Sequence, residues 1–265
     1  MMIKEDLLSL VPPVLRARGW RLYTGKGRLI DLWQYGGRAL LGHNPTGLLR
    51  AIKNTAERSL YAPYPHFTET QFTKALSALL PGFSFLVYES EAFLYKALHD
   101  AGLYNAHEKT VVVWRPFLGA HNQAELPFLI PVLPCPFPGT PAVLAYNPEK
   151  ESTIPEKLPP SHMISPVALS AATRCIYDLL ANPTRGNPHF PKVNKAIKKS
   201  TVWKRENIYL YYSPARKDEE TGTSYAAVFG HFLEAGFLLP PSAEEPAILP
   251  GELSPGEEVK LSNLI

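Results

Sequence analysis

A chain of 265 residues can bury a full hydrophobic core, and 45% hydrophobic against 19% charged residues excludes a disordered one. The 27 basic and 24 acidic residues leave a formal charge of +3, too balanced for a nucleic-acid footprint or a membrane-surface patch. No window reaches the roughly 20 apolar residues of a membrane span, Met1–Leu8 lacks the pattern of a signal peptide, and Cys135 and Cys175 have neither metal nor disulfide spacing, so the expected setting is the cytoplasm with both thiols buried.

Residues 3–10 alternate at helical spacing until Pro12-Pro13 stops them. Trp20–Tyr23 and Arg28–Leu32 read as strands around a Thr24-Gly25-Lys26-Gly27 turn, where glycine supplies the positive φ of a tight hairpin. After Gly42-His43-Asn44-Pro45 a helix follows with Leu48, Leu49, Ile52 and Ala56 on one face and Thr46 as its cap. Tyr61–Phe67 is an aromatic, proline-broken loop, and Thr68 or Thr70 opens the next helix, ended by Pro81-Gly82.

Phe83–Tyr88 reads as a strand, followed directly by Glu89-Ser90 and a helix carrying Phe93, Leu94, Ala97 and Leu98: a βα unit. Thr110–Trp114, Phe128–Leu133 and Ala142–Tyr146 are three short buried strands without long crossover helices, in a stretch rich in the 27 prolines. Val167–Leu180 is amphipathic and helical. Helices over Lys192–Lys199, Ser224–Ala235 and Glu252–Leu264, with strands at Asn207–Tyr212 and Phe237–Leu239, complete the chain; Gly236 is placed as a C-cap glycine.

Taken in order, these pieces resemble the class-III, fold-type-I PLP-dependent aminotransferases, and within them look most like glutamate-1-semialdehyde aminomutase. Gly27–Leu32 with Gly42-His43-Asn44-Pro45 is similar to the entry of that family, and Leu86–Ala92 stands where the family has Asn-Ser-Gly-Thr-Glu-Ala. Gly119-Ala120-His121 is similar to its Tyr-His-Gly, Ser165–Ala172 to its Gly-Asn-Pro helix entrance, and Phe229–Ser242 to its closing helix and Leu-Pro-Pro-Ser strand. The resemblance implies a reduced PLP-dependent transferase-like α/β fold of the aspartate aminotransferase type, with a mixed or parallel central sheet and a small C-terminal α+β domain. The expected division is 1–60 for an N-terminal arm, hairpin and first helix, 61–180 for a shortened large domain, and 181–265 for the small domain.

PLP chemistry needs a Schiff-base lysine, a carboxylate on the ring nitrogen and donors for the phosphate. The family carries the first two between its Tyr-His-Gly and Gly-Asn-Pro regions, and in the matching interval from His121 to Ser165 neither motif is recognisable. Lys150 and Lys157 are the lysines there, set among Glu149, Glu151 and Glu156, which favour the ammonium over the nucleophilic amine. Ser90 replaces the family's phosphate-binding Gly-Thr, beside Glu89; by resemblance His121 matches a histidine near the cofactor ring, and Ser161 falls near a threonine that the family supplies from a partner subunit. A helix start occupied by serine and glutamate equally reads as self-capped.

Three readings follow. The first is a truncated pseudoenzyme without PLP, binding a protein partner or a different small molecule; the resemblance implies a homodimer, with the N-terminal segment and the Ala62–Phe67 loop as interface material. The second is an active aminotransferase or aminomutase with Lys150 or Lys157 in service. The third is an unrelated α/β enzyme with a pocket at Tyr61, Tyr64, His66 and Phe67. No metal, nucleic acid or membrane partner is expected.

Overall fold

The computed structural model describes residues 6–104, 112–118, 126–213 and 224–265. In chain order the strands are β1 (Val14–Arg18), β2 (Arg21–Thr24), β3 (Gly27–Asp31), β4 (Ser84–Tyr88), β5 (Val112–Trp114), β6 (Phe128–Pro131), β7 (Ala142–Tyr146), β8 (Trp203–Glu206), β9 (Tyr209–Tyr212), β10 (Phe237–Leu238) and β11 (Ala247–Ile248). The helices are α1 (Leu48–Ala56), α2 (Phe67–Leu79), α3 (Glu91–Asp100), α4 (Ile154–Lys157), α5 (Pro166–Leu180), α6 (Pro191–Ile197), α7 (Tyr225–Glu234) and α8 (Pro255–Leu264). Among the described residues no helix is long and apolar enough to cross a membrane.

Contacts divide the chain into two units. Met1–Asn44, Phe117–Gly119 and Thr184–Ile265 form the first; Pro45–Pro116 and Ala120–Pro183 form the second. The first contains the antiparallel ladder β1-β2-β3, to which β10 adds in parallel through Ile30 N–H to Gly236 O (2.8 Å) and Leu32 N–H to Leu238 O (2.9 Å). Its second sheet has the order β11-β9-β8. One apolar core joins them, built on Leu22, Ile30, Leu32, Trp203, Leu210, Phe229, Phe232, Phe237 and Leu261. Gly236 ends α7 at φ +91°, the left-handed cap that its position predicts.

The second unit is a sheet in the order β4-β7-β6-β5, with β5 and β6 parallel and the other pairs antiparallel. Helices cover both faces. Along β7, Val143 packs with α1, α2 and α5, while Ala142 and Leu144 pack with α3 and α4, the period-two alternation of a strand buried on both sides. Strands β6 and β7, consecutive in the chain, pair antiparallel, so the connection between them needs no crossover helix.

Several local expectations shift. Within the expected first helix the described residues form only a 3₁₀ turn at Leu7–Leu10, because Asp6 caps it at Leu8 N (3.2 Å) and the prolines follow at once. Helix α1 is entered from Gly47 instead of Thr46. A Cβ at Gly47 would lie 1.8 Å from Arg174 Nε, so the arginine of α5 occupies the space of a side chain there. Helix α2 begins at Phe67, one residue inside the expected loop, because the His66 ring accepts from Thr68 N (3.3 Å) and serves as the cap.

Candidate functional site

In the second unit, β4 ends at Tyr88 and the chain turns through Glu89-Ser90 into α3. Ser90 Oγ accepts from Phe93 N at 3.2 Å, so its lone pair serves the helix start. Alongside β4 runs the segment before α5: Val87 N–H donates to Ser161 Oγ (3.0 Å), His162 N–H donates to Val87 O (2.8 Å), and the Tyr88 hydroxyl donates to Pro159 O (2.8 Å). Both hydroxyls singled out in the sequence therefore lie along the C-terminal half of one strand and its exit. Between them stands a residue that the sequence reading passed over, His162, packed edge-on to Phe93 at 4.2 Å and to Tyr88 at 5.4 Å. Burial pushes the Tyr88 phenol up to about 12, which leaves it a neutral donor. The only advance signal for His162 was its position next to Ser161.

The two candidate lysines stand elsewhere. Lys150 is exposed in the turn after β7, its N–H bonded to Asn147 O (3.1 Å). Lys157 ends α4, also exposed, with Nζ 3.4 Å from Glu151 Oε1. It lines an open surface groove of about 400 Å³ with Phe93, Lys96, Asp100 and Pro159. Hydrogen bonds from Thr153 and then Lys157 hold the Glu151 carboxyl below its ordinary value. His121 lies outside the described residues.

A second polar constellation occupies the first unit. Asp31 at the end of β3 is almost fully buried; its Oδ2 is 2.8 Å from His43 Nε2, and its Oδ1 accepts from Trp33 N (2.9 Å) and Gln34 N (2.7 Å). Gln34, wholly buried, donates to Ile248 O (2.9 Å) and accepts from Arg185 Nη2 (3.3 Å). Arg185 is buried, bonded to Leu40 O and Leu249 O and laid over the Trp20 ring at 5.3 Å. Every one of these acceptors is neutral, and burial pulls the guanidinium down to about 10. The chain pays for this network with backbone strain at Gln34 and Tyr35, at φ 51° and 53°. Nothing in the Pro183–Gly186 turn sequence marks Arg185 as buried. Among the described residues no group of three or more His, Cys, Asp or Glu side chains is placed to hold a metal ion.

No protein-family model matches the chain. It is 26% identical over 297 residues to an uncharacterized protein of Treponema pallidum, covering 93% of this chain and 92% of that one. It is 24% identical over 262 residues to an uncharacterized protein of Borreliella burgdorferi, covering 95% and 89%. Among solved structures, an omega-transaminase from Sphaerobacter thermophilus superposes with a TM-score of 0.71 at 10% identity, over 96% of this chain and 89% of that one. The ornithine delta-aminotransferase of Plasmodium falciparum gives 0.67 at 11%, over 95% and 91%, and the acetylornithine aminotransferase of Elizabethkingia anophelis gives the same values. The fold is that of the PLP-dependent aminotransferases. Its structural neighbours are class-III members, as the order of the sequence segments implies.

Every lysine among the described residues is exposed, whereas a Schiff-base lysine is desolvated or set beside positive charge to lower its pKa. At the entrance to α3, Glu89 and Glu91 flank a serine already committed to Phe93 N, which opposes a phosphate dianion where the helix dipole alone would attract one.

Proposed function

We propose that this chain is a degenerate aminotransferase-fold protein that works by binding, as a scaffold or regulatory homologue, without PLP catalysis. The observation that carries the reading is the exposure of every described lysine, Lys150 and Lys157 included. We further infer that it is a shortened relative nearest to glutamate-1-semialdehyde aminomutase. The short interval between His121 and Ser165, in which neither the carboxylate nor the lysine motif is recognisable, supports this. Assembly as a cytoplasmic homodimer belongs to the same proposal. It is supported by the exposed aromatic loop before α2, where Tyr61 and Tyr64 are 61% and 74% exposed, an expensive surface to leave in water.

The test is an absorption spectrum of the purified protein with and without added PLP, then borohydride reduction and peptide mapping. No aldimine band under saturating PLP, and no pyridoxyl-lysine peptide, is the expected result. A band trapped on Lys150, Lys157 or any other lysine overturns the reading and restores aminotransferase or aminomutase chemistry. Light scattering checks the assembly: a dimer mass that falls to a monomer in the doubly substituted Tyr61→Ser, Tyr64→Ser variant is expected, and a wild-type monomer rejects it.

A further inference from the structure

The chain has two cysteines, separated by 39 intervening residues, and the fold brings them together. Cys135 lies in the connection from β6 to β7, where its N–H bonds to Leu133 O (2.8 Å) and Thr140 Oγ donates to Phe137 O (2.6 Å), folding that connection back on itself. Cys175 stands in the middle of α5. Neither is in a disulfide, both are fully buried, and both belong to one apolar cluster with Leu133, Val143, Ala172 and Ile176. The two thiols are hydrogen-bonded to each other. That bond first, and burial second, push the Cys175 thiol far above its ordinary value.

A thiol is a weak donor, and burying one against apolar neighbours requires no second thiol. Two sulfurs in hydrogen-bond contact, however, need only a small approach to reach the bond length of about 2.05 Å. We propose that Cys135 and Cys175 are a modification site: a buried dithiol that a hydroperoxide converts to one intramolecular disulfide, fastening the β6–β7 connection to α5. In the first step the Cys135 sulfur takes one peroxide oxygen, the O–O bond breaks, and the released hydroxide collects the thiol proton as water. In the second, the Cys175 sulfur attacks the sulfenic sulfur; the S–S bond forms, the S–O bond breaks, and hydroxide leaves with the Cys175 proton as a second water. Two electrons pass from the two thiols to one peroxide.

Burial sets the kinetics. A protonated, solvent-free thiol reacts slowly, so oxidation waits on opening of the second unit instead of thiol acidity. Once formed, the bond closes a long loop and constrains the unfolded chain. The inference does not depend on whether the protein binds PLP.

The experiment treats the reduced full-length protein with hydrogen peroxide and follows intact mass, peptide maps and thermal midpoint. Expected are a loss of 2 Da, a Cys135–Cys175 cross-linked peptide, and a midpoint raised by about 5 °C or more that dithiothreitol reverses. Cys175→Ala, shown folded by circular dichroism, should give no cross-link and no rise. Persistence of both thiols while a peptide thiol control is consumed overturns the proposal. So do separate oxygen adducts on each cysteine, or a cross-link only between chains. A correct cross-link with an unchanged or lowered midpoint overturns the fastening role.

Discussion

Glu257 shows how one residue can carry several elements. Arg21 of β2 grips it as a fork, Nε to Oε1 at 3.2 Å and Nη2 to Oε2 at 2.8 Å, and Arg28 of β3 adds a contact at 2.8 Å. Its Oε2 also accepts from Ser254 N (2.8 Å), closing the capping box of α8. Burial alone would raise its carboxyl; the Arg21 bonds, the Ser254 N–H and the charges of Arg21 and Arg28 outweigh that and hold it at about 2. A carboxyl depressed in the folded state gives stability that is fully present above its ordinary value near 4.5 and is lost as pH falls through about 2. Denaturant titrations of wild type should therefore lose stability between those limits, and Glu257→Gln should lack that part of the pH dependence. At neutral pH the substitution should cost about 2 kcal/mol, less than a fully buried pair because Arg28 is half exposed. An unchanged acid limb in the variant would assign the pH dependence to other carboxylates.

Arg185 is the opposite case, a buried cation answered by carbonyls and an amide alone. Arg185→Ala would strip the donors from Leu40 O, Leu249 O and Gln34 Oε1 and open space beside Trp20. A loss of about 3 kcal/mol and a red-shifted tryptophan emission are expected. A neutral result would mean that shedding the desolvated charge offsets the lost hydrogen bonds.

At the scale of elements, Ser90 was legible as a helix cap before it was a ligand. Ser90→Ala should cost about 1 kcal/mol through the Phe93 N–H it satisfies, and leave the PLP difference spectrum as flat as in wild type. A changed spectrum would restore Ser90 to a binding role. The same local chemistry explains what else could be read in advance. The βα unit of β4 and α3, the apolar stripe of α5 and the Gly236 cap are properties of one window of sequence, where periodicity and caps suffice. Strand β1 escaped because its residues are largely exposed and carry no alternating face, α4 because four residues hold too little pattern, and β8 because Lys204, Arg205 and Glu206 put three charges in four residues and leave no apolar alternation. Long-range partners are harder still: His162 and Arg185 owe their settings to strands and turns far away in the chain.

At the scale of the molecule, the deciding pairing joins positions some two hundred residues apart. Strand β3 takes β10 as its parallel neighbour, so the N-terminal meander and the C-terminal segment share one core, and no residue of that core belongs to the second unit. Hydrophobic pattern sets a strand's buried face but does not name its partner, which is why this closure is invisible to a sequence window. It has a mechanical consequence. Phe237, 1% exposed on β10, packs in the first core alone. Phe237→Ala should destabilise that unit by about 3–5 kcal/mol and speed hydrogen exchange together at Ile30 and Leu32, whose N–H groups bond to the Gly236 and Leu238 carbonyls. The β4–β7 ladder, with Leu86, Val143 and Leu144 in separate clusters, should keep its protection in the same sample. Equal acceleration in both ladders would show that the two cores open as one, and that the division seen in the contacts is not a division of stability.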